Sequence, residues 1–389
     1  MVGRFFINYY YSPINANDCH YNFGNFILLF AFITVLFRPY SMILTVCEKF
    51  NLPDIQSVKP LVSGLINSSY KISLNNGNSY FLQRINTGIF KNPAALQKNY
   101  QLIQQHLTFN GAMKLPELVK TATGNLLYDN HGEVWRCFEF VKNTYSPTAV
   151  HTPEKAYEVA HCFGSFTAVL QSFDSTKLEV IIPHFHDLDF RYQQFKTALQ
   201  NAPTERIVQA KDLIQRIEDY ASLVKKFMII NGDKKAFPLH IMHHDCKISN
   251  ILFDVDTNAI RCPIDLDTTQ AGFFFSDMGD MVRTIVSSLD ENDTRFSELA
   301  IRTDFLKAVT EGYMDAMAPF LTAEERSNIP YAGSIMTYMQ AMRFLTDHLN
   351  GNIYYKTTYP EQNKDRTINQ LRLLDLLQEH ITGKKYTVA

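Results

Sequence analysis

The feature that most constrains the fold is a change of hydrophobic period near Thr152-Pro153-Glu154. Before it, from Lys59 to Phe140, apolar residues recur in short alternating runs: LVSGLINSSYKISL, SYFLQRIN and GNLLYDNHGEVWRCFEFV. The NNGN segment at Asn75–Asn78 has hairpin-turn composition, so this half predicts a mainly antiparallel sheet. One helix interrupts it, with Asn92 as N-cap, Pro93 at the first helical position, and Leu96, Tyr100 and Ile103 on one face. After Glu154 the spacing becomes three and four, predicting helices over about 154–172, 204–229, 297–318, 331–349 and 363–380. Only the stretch 241–267 departs from that pattern, reading as loop, strand, a turn at Asp256–Asn258, and strand.

The layout is α+β, with a small antiparallel-sheet lobe followed by a larger, mainly helical lobe that carries one embedded hairpin. A chain of 389 residues is too long for one ordinary core and suits two lobes, here 42–140 and 141–389. With 46% hydrophobic and 20% charged residues the chain can bury a core and is not disordered by composition. A formal charge of -2 argues against non-specific nucleic-acid binding, which needs a broad cationic excess. The six cysteines (Cys19, Cys47, Cys137, Cys162, Cys246, Cys262) form no CxxC or other metal-ligand spacing, which points to a reducing cytoplasm.

Residues 1–41 read as an extension. Asn25–Phe37 (NFILLFAFITVLF) is apolar but short for a membrane span, which needs roughly 20 residues. Its flanks suit a signal or anchor poorly, so no membrane association is expected unless 25–37 acts as an anchor. The other reading is an upstream segment outside the functional protein, which would then begin at Met42.

The chemistry concentrates in HHDCKISN at His243–Asn250 and IDLD at Ile264–Asp267. Phosphoryl transfer needs a carboxylate to orient the attacking hydroxyl and oxygen ligands for magnesium, and little else of a covalent kind. Asp245 is placed as the base or orienting group, with Lys247 bringing a positive charge near the transferred phosphoryl group. Asn250 and Asp265 are placed as Mg2+ ligands, and Asp267, on the same side of an extended segment, as a third. On its own HxDxxxxN arises by chance from common turn residues; the return strand ending in two carboxylates gives it weight. His243 is read as holding the loop by hydrogen bonds, and His244 as exposed or packing. A zinc site from three consecutive residues fails on geometry, and no HExxH or GxSxG occurs.

Together GLINSSY, FLQRIN, the FKNP helix entry, HHDCKISN, IDLDT, MGDMVR and RFLTDHLNGNIYY resemble the aminoglycoside phosphotransferase and choline kinase superfamily, most closely N-acetylhexosamine 1-kinases and related sugar kinases. The resemblance spans about residue 55 to the C-terminus. It implies a protein-kinase-like fold, ATP and Mg2+ as donor, and transfer to the anomeric hydroxyl of a free hexosamine. It also implies that Asp245, Arg343 and Tyr354 contact the sugar. For the nucleotide it implies phosphate contacts at Gly64, Asn67 and Ser68, a phosphate-binding cation at Arg84, and adenine pairing by the backbone near Glu139 and Val141.

The sequence departs from protein-kinase usage in the sheet lobe. No GxGxxG is present, Leu65 stands where relatives often have His, and residues 55–116 contain no Asp or Glu. Lys98 occupies the helix where a carboxylate partner for Arg84 is expected, which leaves a nucleotide-binding pseudoenzyme as an alternative. Within the enzyme class the alternatives are kinases of choline, which favours an aromatic cage, or of a polycationic aminoglycoside, which favours an acidic cleft.

Overall fold

A computed structural model describes residues 41–61 and 66–384. The possible anchor at 25–37 and the phosphate contact expected at Gly64 therefore lie outside the described residues. Two compact units divide between Pro53 and Asp54. In the first, helix α1 spans 41–49. The second runs from Asp54 onward.

The second unit opens with a six-stranded antiparallel sheet of β1 (Ile55–Leu61), β2 (Ser68–Leu74), β3 (Ser79–Arg84), β4 (Leu118–Val119), β5 (Tyr128–Asn130) and β6 (Glu133–Glu139), in the order β1-β2-β3-β6-β4 with β5 on β6. The β2–β3 turn is the expected NNGN segment, where Gly77 takes a φ of 81° that a side chain would resist. Helix α2 (Pro93–Phe109) is capped as read: the Asn92 side chain accepts the Ala95 N–H at 3.1 Å, and Leu96, Tyr100 and Ile103 are buried.

After the short strand β7 (Thr144–Tyr145) come α3 (Pro153–Val169), α4 (Leu188–Asn201), α5 (Thr204–Gln209), α6 (Lys211–Asp219) and α7 (Ser222–Gly232). Next are β8 (His240–Met242), β9 (Ile251–Asp254), β10 (Ile260–Pro263) and β11 (Gln270–Gly272). The chain closes with α8 (Phe275–Met281), α9 (Thr303–Met317), α10 (Ala323–Leu349) and α11 (Gln362–Thr382). Strands β9 and β10 form the expected hairpin, extended by β7, while β8 pairs with β11.

Three helix readings are corrected. The single helix expected over 204–229 is three, broken near Ala210 and Ala221. Helix α10 starts eight residues before the expected 331, because Thr322 and Glu325 form a reciprocal capping box and Pro330 is carried inside the helix. Helices α4 and α8 were not expected at all. Helix α8 packs flush on α10 at Gly279, where a Cβ would meet the Ala332 carbonyl oxygen at 2.4 Å. No described helix is long and apolar enough to cross a membrane.

Candidate active site

Strand register decides which side chains of the sheet face the segment 243–267. Ser69 pairs with Gln83, and Gln83 with Arg136, so the three form one row across β2, β3 and β6. Phe81 and Phe138, two positions along, share that face. This row, with Tyr100, Leu252 and Ile264, lines a cavity of about 160 Å³ whose far wall is Asn250, Asp265 and Asp267.

The adjacent row, Ser68, Arg84 and Trp135, faces the other way by the same period of two. Ser68 and Arg84 are therefore not at the cavity, contrary to expectation; Arg84 pairs instead with Glu133 at 2.6 Å. The cation that does face the cleft is Arg136, only 3% exposed. Its Nε and Nη2 donate to Gln83 Oε1 at 2.8 and 2.5 Å, and Nη2 also donates to Asp267 Oδ2 at 2.7 Å. Nη1 is buried without a partner among the described residues. Asn67 joins this network, donating to Asp267 Oδ2 at 2.9 Å while its own oxygen accepts the Asn86 N–H at 2.9 Å. Asp267 thus gives its Oδ2 to Arg136 and Asn67, while its Oδ1 takes no hydrogen bond among the described residues. Lys98 does not enter the site; it pairs with Glu179 at 3.1 Å.

The 243–250 loop is anchored by a residue to which the sequence pattern assigns no role. Asp277, fully buried in α8, accepts the N–H groups of His243 at 2.9 Å and His244 at 2.7 Å. The Thr268 hydroxyl donates to the His243 carbonyl at 2.8 Å, and His243 Nε2 donates to the Ile264 carbonyl at 2.9 Å, the holding role expected for this histidine. His244 is buried rather than exposed, in a left-handed conformation with φ 66°, and Asp265 likewise has φ 61°. Two such residues in one site make sharp local turns that the surrounding contacts must fix. Gly272 leaves the room: a Cβ there would come within 2.3 Å of the His244 ring.

Asp245 accepts from Lys247 Nζ at 2.7 Å and from Asn250 Nδ2 at 2.8 Å. Burial works against its charge, but Lys247, His243 and Asn250 outweigh it and hold the carboxyl below its ordinary range. Lys247 is raised by its carboxylate neighbours Asp245 and Asp265 against the opposing effect of burial. Asp265 behaves oppositely. Although it opens to the cleft, the surrounding protein, Asp267 and Asp245 push its carboxyl up to about 7. A cation beside it would relieve that repulsion. Asn250 spends its amide nitrogen on Asp245, at its carbonyl as well as its carboxylate, so the amide oxygen is the end left for a ligand. No group of three His, Cys, Asp or Glu among the described residues could hold a metal by itself. One carboxylate and one amide oxygen, completed by substrate phosphates and water, is nevertheless a donor set that suits Mg2+.

At the expected hinge, Glu139 and Val141 both line the cavity. The Glu139 N–H is already bonded to the Glu117 carbonyl at 2.9 Å, which removes it as an adenine donor. A second cavity, of about 520 Å³, is lined by Arg343 and Tyr354, the two residues expected at the sugar, and by Arg191 of the unexpected helix α4. The Phe185 ring lies 5.5 Å from the Arg343 guanidinium and edge-on to His244 at 6.0 Å.

A profile of the phosphotransferase enzyme family matches residues 57–320 of this sequence, well over half of the chain. The chain belongs to that family. The fold of this phosphotransferase is shared with an aminoglycoside phosphotransferase from Alicyclobacillus acidocaldarius, at 13% identity and a TM-score of 0.56 over 85% of this chain and 94% of that one. A choline kinase from Cryptosporidium parvum matches at 15% identity and a TM-score of 0.53, over 88% and 98% of the two chains. An amicoumacin kinase solved with AMP-PNP, Ca2+ and amicoumacin matches at 13% and 0.56, over 85% and 92%. The two-lobe, kinase-like architecture expected from the sequence is therefore the fold of this phosphotransferase.

Proposed function

We propose that this phosphotransferase transfers the γ-phosphoryl group of ATP to the anomeric hydroxyl of a free N-acetylhexosamine or related sugar, giving the sugar 1-phosphate and ADP. The observation that carries the kinase part is the contrast between two carboxylates on one loop system: Asp245, held charged by Lys247 and Asn250, and Asp265, beside the cavity and without an ion-pair partner among the described residues. The first suits a charged group that accepts a hydrogen bond from the hydroxyl and orients it; the second suits a metal ligand. In the reaction the acceptor oxygen bonds to the γ-phosphorus, the bond to the β–γ bridging oxygen breaks, and the acceptor proton passes to Asp245. Mg2+, when bound, would neutralise charge on the transferred group.

The chain's own residues do the rest. Phe81, Tyr100 and Phe138 supply apolar walls for adenine, with the Glu139 carbonyl and the Val141 N–H as hinge partners. Arg136 takes the place expected for Arg84, offering its unpartnered Nη1 to phosphate while Gln83 and Asp267 fix the guanidinium. This answers the missing helix carboxylate. The cation is braced from the neighbouring strand and from the catalytic segment, which favours an active enzyme over a pseudoenzyme.

The acceptor cavity favours a sugar over choline or an aminoglycoside, because two arginines line it and a cationic acceptor would be repelled. An ATP-coupled assay over hexosamines, hexoses, choline and aminoglycosides tests the reading. Phosphorylation of choline or aminoglycosides alone would sink the sugar assignment, and ADP release from none of them would sink the kinase assignment.

A further inference from the structure

The cavity bearing Arg343 has a charge pattern that a neutral sugar would not satisfy. Arg191 donates only to neutral acceptors: its Nε and Nη2 reach the Phe185 carbonyl at 3.3 and 2.9 Å, and Nη1 reaches Gln194 Oε1 at 2.8 Å. Arg343 donates through Nη1 to Gln340 Oε1 at 3.0 Å, with its guanidinium near the rings of Phe185, Tyr354 and Tyr355. No carboxylate among the described residues forms an ion pair with either guanidinium. The one acid in the cavity wall, Asp347, is saturated. Its Oδ1 accepts the N–H groups of Ile353 and Tyr354 at 3.0 and 2.8 Å, and its Oδ2 accepts the Tyr355 N–H at 3.0 Å and Asn363 Nδ2 at 2.8 Å.

Two guanidinium groups in one partly enclosed cavity repel each other. Burial and Arg343 together bring Arg191 down to about 10, the direction like charge imposes. Asp187 acts on Arg191 electrostatically, but its oxygens bond His184 and the Phe190 N–H rather than the guanidinium. The planar forks of two arginines match a carboxylate, sulfate or phosphate ester better than any uncharged hydroxyl.

We infer that the acceptor carries an acidic group, seated by Arg191 and Arg343, and that Arg191 is a specificity-determining residue for it. The inference rests on the kinase reading for the fate of the acceptor, but binding of the acid does not depend on turnover. The apolar rings of Phe190 and Tyr354 would cover the ring face of a sugar, with the acidic substituent directed to the two guanidiniums. A hexuronate or an N-acetylhexosamine bearing a carboxylate or sulfate has this chemistry.

The test uses acceptors matched in ring and differing only in charge: glucose against glucuronate, and N-acetylglucosamine against its 6-sulfate. Each is measured by ATP-coupled turnover and, separately, by calorimetric titration with AMP-PNP and Mg2+ present. The acidic member of a pair is expected to bind and react about 10- to 100-fold better than its neutral partner, the range of one or two charge-assisted hydrogen bonds. Arg191→Gln is expected to bring that ratio toward one, and Arg191→Lys, which keeps the charge but not the fork, to retain part of it; melting curves confirm that both variants fold. Equal or weaker binding of both acids in wild type, or a ratio unchanged by Arg191→Gln, overturns the inference. Binding of the acid that Arg191→Gln abolishes, with no ADP formed from any acceptor, upholds the subsite while sinking the kinase reading.

Discussion

Replacing Arg136 by Met separates two roles that the structure gives to one side chain. Arg136 and Asp267 are 3% and 4% exposed and 2.7 Å apart, so removing the cation leaves a buried carboxylate with Asn67 as its remaining donor. Breaking a buried pair by removing one partner costs about 3–5 kcal/mol, or roughly 6–10 °C in melting temperature at on the order of 2 °C per kcal/mol. If Nη1 also grips phosphate, losing a charge-assisted bond of about 1.5–3 kcal/mol raises KM for ATP roughly 10- to 150-fold. The double variant Arg136→Met with Asp267→Asn distinguishes these effects, because it removes the orphaned charge but does not return the cation. It is expected to recover most of the melting temperature while KM for ATP stays high. Recovery of KM in the double variant would mean that Arg136 acts only by bracing Asp267. A single variant with unchanged melting temperature would refute the buried-pair reasoning itself.

Other expectations follow from the loop. Asp245→Asn keeps the shape of the side chain but cannot take the acceptor proton; turnover is expected to fall about 10²- to 10⁴-fold with AMP-PNP affinity largely kept, as coupled assay and titration would show. Asp277→Ala leaves the amides of His243 and His244 without their acceptor, at about 1–3 kcal/mol each, and is expected to lower both melting temperature and kcat; an unchanged kcat would exclude the clamp. Because Asp265 titrates near 7, metal and proton compete for it, so the Mg2+ concentration giving half-maximal rate is expected to rise about tenfold per pH unit below 7 and to be overcome by excess Mg2+. The sign for stability is the reverse of a salt-bridged carboxylate. Between the ordinary 3.8 and about 7 the folded state holds the extra proton, so this site's contribution is most favourable at low pH and is lost as pH rises to 7. Asp265→Asn, which also tolerates the left-handed backbone, is therefore expected to melt above the metal-free wild type at pH 8, by more than at pH 5, while losing activity.

Much of the site could be read from the chain because its chemistry is local. Asp245, Lys247 and Asn250 lie within six residues, and their mutual hydrogen bonds are short-range consequences of one loop. The same holds for the Asn92 cap and the NNGN turn, where single side chains satisfy nearby backbone groups. The Thr322–Glu325 capping box is equally local, yet the expected start at 331 passes over it. Helix α4 was missed because its burial is confined to Leu188, Phe195 and Ala198, too few apolar positions to impose a clear period, and with it Arg191 was missed.

The sequence by itself determined the sheet-then-helix order, the reacting loop and the carboxylates that follow it, since periodicity and turn chemistry act over a few residues. Only the tertiary structure decided which side of each element meets the cleft. In FLQRIN, Gln83 and Arg84 are adjacent and must face opposite ways, and nothing local says which is inward. Pairing with β6 settles it by aligning Gln83 with Arg136, so the cation of the site comes from a strand more than fifty residues away. The Arg136 partner of Asp267 was hidden for the same reason: the group that fixes a buried charge is chosen by long-range packing, which no local pattern encodes.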